Sequence, residues 1–175
     1  MLINPNYAIE QGWIKGVIDP KKQIQPNAID FTLDKLFSID STSPFFLSEL
    51  DKKMRKFREM ETKSYTDTNG EMAWHLRYGG AYDGMSNMYV EVPEGVAVKL
   101  IVRSTLNRNG LFLTSGLYDS GFKGNIGFML HNRGGDAYIV PGTRVGQIEF
   151  YKSDSIGTYA GGWNTKEGEH HSEKK

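Results

Sequence analysis

The chain has 175 residues, room for one domain with a core of its own and not for two. Its 21 basic and 21 acidic residues cancel, so no bulk charge points to a nucleic-acid or membrane surface, and neither partner is expected. Cysteine is absent, which removes disulfides, thiolate nucleophiles and cysteine metal sites and suits a reducing, cytoplasmic setting.

The opening residues are neither cationic nor followed by a long apolar run, and no window approaches the ~18 apolar residues of a membrane-spanning helix. Residues 4–12, NPNYAIEQG, predict a short helix: Asn4 can cap it, Pro5 suits its first position and Gly12 can end it. WIKGVIDP reads as a short strand or turn that Pro20 stops. Past Pro26, Ile29, Phe31 and Leu33 alternate with polar positions, as in a half-buried strand. Residues 41–69 differ in composition. Leu47, Leu50, Met54 and Phe57 recur every three or four residues in a run rich in lysine, arginine and glutamate. That spacing predicts an amphipathic helix over 47–60, docked on the domain's own sheet or offered to a partner.

From Glu71 onward short apolar runs alternate with turn residues: MAWHLRYGG, NMYVEVPEG, VAVKLIVRS, GLFLTSG, GNIGFMLHN, AYIVPG and TRVGQIEFYKS. Strands at this spacing, with one or two short helices in the first third, predict a mainly β fold, a sandwich or jelly-roll barrel. Residues 1–154 make that single domain, and residues 155–175 read as a flexible, glycine-rich, charged tail.

Candidate chemistry concentrates in residues 102–132, VRSTLNRNGLFLTSGLYDSGFKGNIGFMLHN. A strand ending in Arg103, Ser104 and Thr105, with Arg108 beyond it, puts hydroxyls and guanidinium groups together where phosphate oxygens could sit. Arg103 alone is equally explained as a buried arginine pairing with a carboxylate in a subunit interface. Asp119 stands in a turn, where an aspartate ordinarily bonds backbone amides. Beside a phosphate chain it could instead take a proton from water as a general base. Gln147, in VGQIEF, is a neutral donor and acceptor or simply an exposed side chain. In the tail Tyr159 and Trp163 offer faces for a base or sugar and Lys166 a charge, set against the plainer reading of a disordered terminus. His170 and His171 have no partner at ligand spacing, so no protein metal site is expected.

Four of these stretches, in order, resemble the dUTPase and dCTP deaminase superfamily of trimeric nucleotide-processing enzymes. QPNAIDFTL at 25–33 is similar to the deaminase branch, VPEGVAVKLIVRSTLNRNGL at 92–111 to the shared phosphate-binding motif, LYDSGFKGNIGFMLHN at 117–132 to the third motif, and PGTRVGQIEF at 141–150 to the fourth. The resemblance implies a distorted β-barrel or jelly roll of the dUTPase type, a homotrimer with sites between subunits, and a pyrimidine deoxynucleoside triphosphate as substrate. It places Met129 where deaminases carry the glutamate that activates water against cytosine, and the sequence near Met129 offers no replacement carboxylate. The dUTPase general base falls on Asp119, and Phe122 stands for the tyrosine that stacks on deoxyribose. Arg103, Ser104, Thr105, Arg108 and Gln147 would hold phosphates, with Mg²⁺ carried by the substrate; residues 113–117 would read the base; Trp163 and Lys166 would stand in for the usual tail residues. The implied activity is dUTP diphosphatase, giving dUMP and pyrophosphate. The rivals are a dCTP deaminase, a hydrolase of another pyrimidine triphosphate, and a non-catalytic nucleotide- or partner-binding protein using the charged helix.

Overall fold

The structure, a computed structural model, describes residues 1–173. The first third holds α1 (Pro5–Glu10), β1 (Ile14–Lys15), α2 (Pro20–Gln23), β2 (Ile29–Leu33), β3 (Lys35–Ile39), β4 (Phe46–Leu47), β5 (Lys52–Lys53) and β6 (Phe57–Glu59). Next come β7 (Lys63–Ser64), β8 (Met72–Leu76), β9 (Ala81–Glu91), β10 (Val96–Val102) and a one-turn α3 (Ser104–Arg108). The chain closes with β11 (Leu111–Thr114), β12 (Lys123–Asn132), β13 (Ala137–Ile139) and β14 (Thr143–Lys152). The fold is mainly β, as expected, with three short α-helices where one or two were anticipated. No helix among the described residues is long and apolar enough to cross a membrane.

All strand pairs are antiparallel. The large sheet runs β11-β12-β9-β3-β6, with β1 also on β9; the second runs β10-β14-β2, and β13-β8-β7 and β4-β5 are smaller. The two main sheets bury their inner faces against each other. Phe31 of β2 meets Phe128 of β12 with ring centroids 5.0 Å apart, among Leu33, Val98, Ile148, Leu36, Val90 and Ile126, all buried. Such burial is the main stabilising contribution, about 1.5–3 kcal/mol per large apolar side chain. Two glycines make room for the ring pair. A Cβ on Gly146 would lie 2.2 Å from the Phe31 ring, and one on Gly84 2.6 Å from the Phe128 ring.

α1 forms as its sequence dictates: Asn4 Oδ1 accepts from the Asn6 N–H at 2.9 Å and Pro5 opens the helix. β10 shows the expected alternation, with Val96, Val98 and Leu100 buried and Lys99 and Ile101 exposed. Three expectations are corrected. β2 is buried on both faces, because Asp30 and Thr32 point into a polar layer rather than into water. The strand expected to end in Arg103, Ser104 and Thr105 stops at Val102, and Ser104 and Thr105 open the helix α3 instead.

The amphipathic helix over 47–60 does not exist; that stretch is the β4–β5 hairpin followed by β6. Leu47, Leu50 and Met54 are exposed, so the apolar stripe has nothing to dock on. Local side-chain bonding competes with the helix. Ser48 Oγ accepts from the Asp51 and Leu50 N–H groups, and the Ser48 N–H donates to Asp51 O at 2.8 Å, closing a tight turn. Phe57 instead pairs in register with Ile39 at the edge of the large sheet.

Candidate active site

The predicted site residues fall into two groups on the single chain. The first surrounds Asp30, a carboxylate 2% exposed on β2. Its Oδ1 accepts from Gln147 Nε2 at 2.8 Å. Its Oδ2 lies 3.0 Å from Arg144 Nη1 and 3.4 Å from Arg103 Nε, while Arg103 Nη1 also donates to Arg144 O at 2.8 Å. A buried carboxylate needs this many donors. Register explains the meeting: β14 pairs with β2 so that Gln147 faces Asp30, and with β10 so that Gln147 faces Ile101, just before Arg103. Arg103 therefore does pair with a carboxylate, within its own chain. A guanidinium has further N–H groups to offer a ligand, and Arg103 keeps partial exposure.

α3 begins directly after Arg103. Ser104 and Thr105 are exposed in its first residues and Arg108 is exposed in its last turn. Asn109 Nδ2 donates to Thr105 O at 2.8 Å, closing the short helix. These hydroxyls and the second guanidinium thus face solvent beside the Asp30 layer.

The second group lines a cavity of about 460 Å³. Its walls are the turn Thr114–Tyr118, Phe122, the β12 segment around Met129, and the tail residues Tyr159 and Trp163, with Asp83, His170 and His171 at one end. Phe122 stands edge-on to Tyr118 at 4.8 Å and to Tyr159 at 5.7 Å. A register shift between Asn125 and Gly127 breaks the β12–β9 ladder, and the Tyr118 hydroxyl takes up the freed groups. It donates to Gly127 O at 2.6 Å and accepts from the Gly127 N–H at 3.0 Å. Burial, reinforced by the charge of Asp83, holds the Tyr118 phenol far above its ordinary range, so it stays neutral.

Asp119 sits between two lining residues, Tyr118 and Phe122, at the exposed head of the turn. Its carbonyl accepts from the Phe122 N–H at 3.0 Å. Gly121, at φ +86°, lets the chain reverse there, and its N–H donates to Val92 O at 2.8 Å. The tail packs alongside. The Tyr159 N–H donates to Ser120 O at 2.6 Å and the Thr165 N–H to Lys123 O at 2.9 Å. Trp163 is partly exposed with its backbone N–H donating to Tyr159 Oη at 3.1 Å, and Lys166 is exposed and outside the cavity lining.

Met129 lines the cavity as a half-buried thioether. The expectation that no carboxylate lies near it is corrected by the sheet. Asp83 of β9 is its direct cross-strand partner and lines the same cavity. No local signal could reveal this, since the pairing joins segments more than forty positions apart. Asp30 and Arg144, which orient Arg103 and Gln147, were missed for the same reason. The expectation that His170 and His171 lack partners is corrected too, because both reach Asp83.

Comparison with known proteins agrees with this architecture. A protein of Methanopyrus kandleri named "Probable deoxyuridine 5'-triphosphate nucleotidohydrolase" is 32% identical over 148 residues, covering 79% of this chain and 86% of that protein. One of Methanosphaera stadtmanae named "dCTP deaminase, dUMP-forming" is 30% identical over 146 residues, 77% of this chain and 70% of that one. The crystal structure of 2'-deoxycytidine 5'-triphosphate deaminase from Agrobacterium tumefaciens superposes with a TM-score of 0.62 at 14% identity, over 85% of this chain and 47% of its own. This chain thus spans about half of that structure, and at such identity the likeness concerns the fold alone. A family model described as dCTP deaminase-like matches residues 6–153, and the chain belongs to that family.

Proposed function

We propose that the protein is a dUTP diphosphatase, hydrolysing dUTP to dUMP and pyrophosphate. The observation that carries this reading is the pair Asp119 and Met129. The turn that presents Asp119 is continuous with the cavity wall through Tyr118 and Phe122, while the wall position of the deaminase glutamate is a thioether that cannot accept a proton. The relatives named as deoxyuridine triphosphate nucleotidohydrolases support it.

In this reading the base enters the cavity against the turn Thr114–Tyr118 and the sugar lies on Phe122. Asp119 takes a proton from the water that attacks the α-phosphorus, and the pyrophosphate leaves toward Arg103, Ser104, Thr105, Arg108 and Gln147. Arg103 and Gln147 are pre-positioned by Asp30, so little ordering cost falls on binding. The Asp119 turn and α3 serve one site when contributed by neighbouring subunits, which we read as a homotrimer. The stretch of the tail with Tyr159, Trp163 and Lys166 lifts to admit substrate and returns over it, while the segment around His170 keeps its place beside β9. Mg²⁺ fits as an ion carried by the substrate. Among the described residues the one group of three potential metal ligands contains two imidazoles, whereas Mg²⁺ wants oxygen donors. Carried on the substrate it would neutralise charge on the phosphates. The absence of cysteine suits the cytoplasm as the location.

Asp83 favours a second reading, dCTP deamination, because it supplies a carboxylate opposite Met129. Separate incubations with dUTP and dCTP in the presence of Mg²⁺ distinguish the two. The expected outcome is pyrophosphate and dUMP from dUTP and no ammonia from dCTP. Ammonia released from dCTP, and lost in Asp83→Asn, would replace the first reading by the second.

A further inference from the structure

One cluster at the end of the cavity takes no part in the hydrolysis above. Asp83 of β9, His170 and His171 bring a carboxylate oxygen and two imidazole nitrogens within 4.8 Å of one another. Asp83 Oδ2 lies 3.3 Å from His170 Nε2 and 3.2 Å from His171 Nε2. A zinc ion with bonds of about 2.0–2.1 Å to tetrahedral nitrogen and oxygen ligands separates those ligands by about 3.3 Å. Both observed separations match that edge.

His170 makes the case specific. It is 2% exposed, and despite its closeness to Asp83 its Nε2 has no hydrogen-bond partner. A buried polar atom left in that state calls for an explanation. Its other nitrogen, Nδ1, lies 2.6 Å from Ser172 Oγ. The Ser172 N–H also approaches Nδ1, at a longer 3.3 Å. Ser172 thus engages Nδ1 through both its hydroxyl and its N–H. It is Nε2, with no hydrogen-bond partner, that faces the carboxylate oxygen. A cation at Nε2 would select the tautomer in which Nδ1–H donates to the hydroxyl. A cation between Nε2 and the carboxylate oxygen would satisfy both atoms. A metal-bound histidine whose second nitrogen donates to a neighbour is the usual arrangement. The surroundings are dry and aromatic: Phe37 stacks on His170 with centroids 3.8 Å apart, and Phe57 and Trp163 stand edge-on to His171 at 5.0 and 5.1 Å. Such a shell fixes ring orientation and slows loss of the ion.

We infer that Asp83, His170 and His171 form a binding site for a divalent transition-metal ion of the zinc class, which clips the C-terminal segment to β9 and forms part of the cavity wall. Two imidazoles and one carboxylate suit zinc and disfavour Mg²⁺ and Ca²⁺. Three protein ligands leave a fourth position for water or a ligand atom, and all three residues line the cavity. The assignment rests on this geometry and stands whatever nucleotide the cavity takes.

The full chain, stripped with a chelator, is titrated with Co²⁺ and then Zn²⁺ in the presence of Mg²⁺. The expected result is one equivalent bound with the intense visible bands of tetrahedral Co²⁺, displaced by Zn²⁺. Zn²⁺ also raises the thermal midpoint as its concentration increases and protects the segment after Asp154 from protease. His170→Ala and Asp83→Asn abolish the tetrahedral spectrum, and Ser172→Ala weakens binding by about 10-fold through loss of the positioning contact. A parent protein that binds no ion, or shows only the weak spectrum of octahedral Co²⁺, overturns the proposal whatever the variants do. So does undiminished binding in folded His170→Ala, which would mark casual chelation by the partly exposed His171. Because these readouts need no nucleotide, failure here leaves the diphosphatase reading untouched, and the reverse holds.

Discussion

Asp119 and Tyr118 are neighbours with opposite duties. Asp119 is exposed at the head of the turn and free to meet a ligand, whereas Tyr118 is buried and its hydroxyl bonds both the N–H and the C=O of Gly127. Asp119→Asn keeps the shape of the turn and removes the proton acceptor. Pyrophosphate release from dUTP should fall by about 10²–10⁴-fold, the range for loss of a general base, while calorimetry shows nucleotide binding retained. Tyr118→Phe removes one hydroxyl and strands the half-buried N–H and C=O of Gly127. Its cost should be about 1–3 kcal/mol in urea denaturation, with Met129 and Asp119 unaltered. Asp119 was readable in the sequence because a turn carries its own signature of glycine and polar residues. Asp83 was not. Its neighbours AYDGMSNMYV give only a strand, and the groups that make it notable, Met129, His170 and His171, reach it through strand pairing and the return of the tail.

At the scale of elements, what could be read depended on whether burial was local. β10, β11, β12 and β14 were legible because alternation or apolar runs bounded by glycine and proline mark strands. The stretch 47–60 misled because spacing alone does not say that an apolar face will find a partner. Charge across paired strands offers a direct test. Glu91 of β9 lies opposite Lys123 of β12 and accepts from its ammonium at 3.0 Å, with Lys15 of β1 donating to its other oxygen at 3.0 Å. The bonds from Lys123 and then Lys15 hold the Glu91 carboxyl below its ordinary range. A lowered folded value means the contribution is present above the unfolded value, about 4.3, and is lost as pH falls through the folded one. The bond to Glu91 raises Lys15, so its share persists below about 10.4 and fades as pH rises through its folded value. The thermal midpoint of Glu91→Gln should therefore lie below that of the parent at pH 7, and the gap should close toward acid pH and in high salt. A gap unchanged by acid would mean that packing, not charge, sets it.

For the molecule as a whole, the single chain separates what one site needs. The Asp119 turn bonds through Tyr118 to Val98 near the start of β10 and adjoins the cavity, whereas the hydroxyls of α3 follow the far end of that strand, beside the Asp30 layer. Apolar side chains are exposed on β10 and β11, which flank α3, and in the turn that lines the cavity. Ile101 at the end of β10, Phe112 on β11 and Leu117 in the turn are 38%, 44% and 57% exposed. Burying three such side chains between subunits would contribute several kcal/mol, at about 25 cal/mol per Å² of apolar surface, and would draw a neighbour's α3 toward the cavity mouth. If that contact completes the site, assembly and catalysis must fail together. Phe112→Asp sets an unpaired charge in the contact without touching Asp119, Arg103 or the Asp83 cluster. Light scattering should show three-chain particles for the parent and single chains for the variant. The monomeric variant should keep its circular dichroism and lose dUTP hydrolysis. Hydrolysis at the parental rate by a single-chain Phe112→Asp protein would show instead that one subunit holds every group the reaction uses.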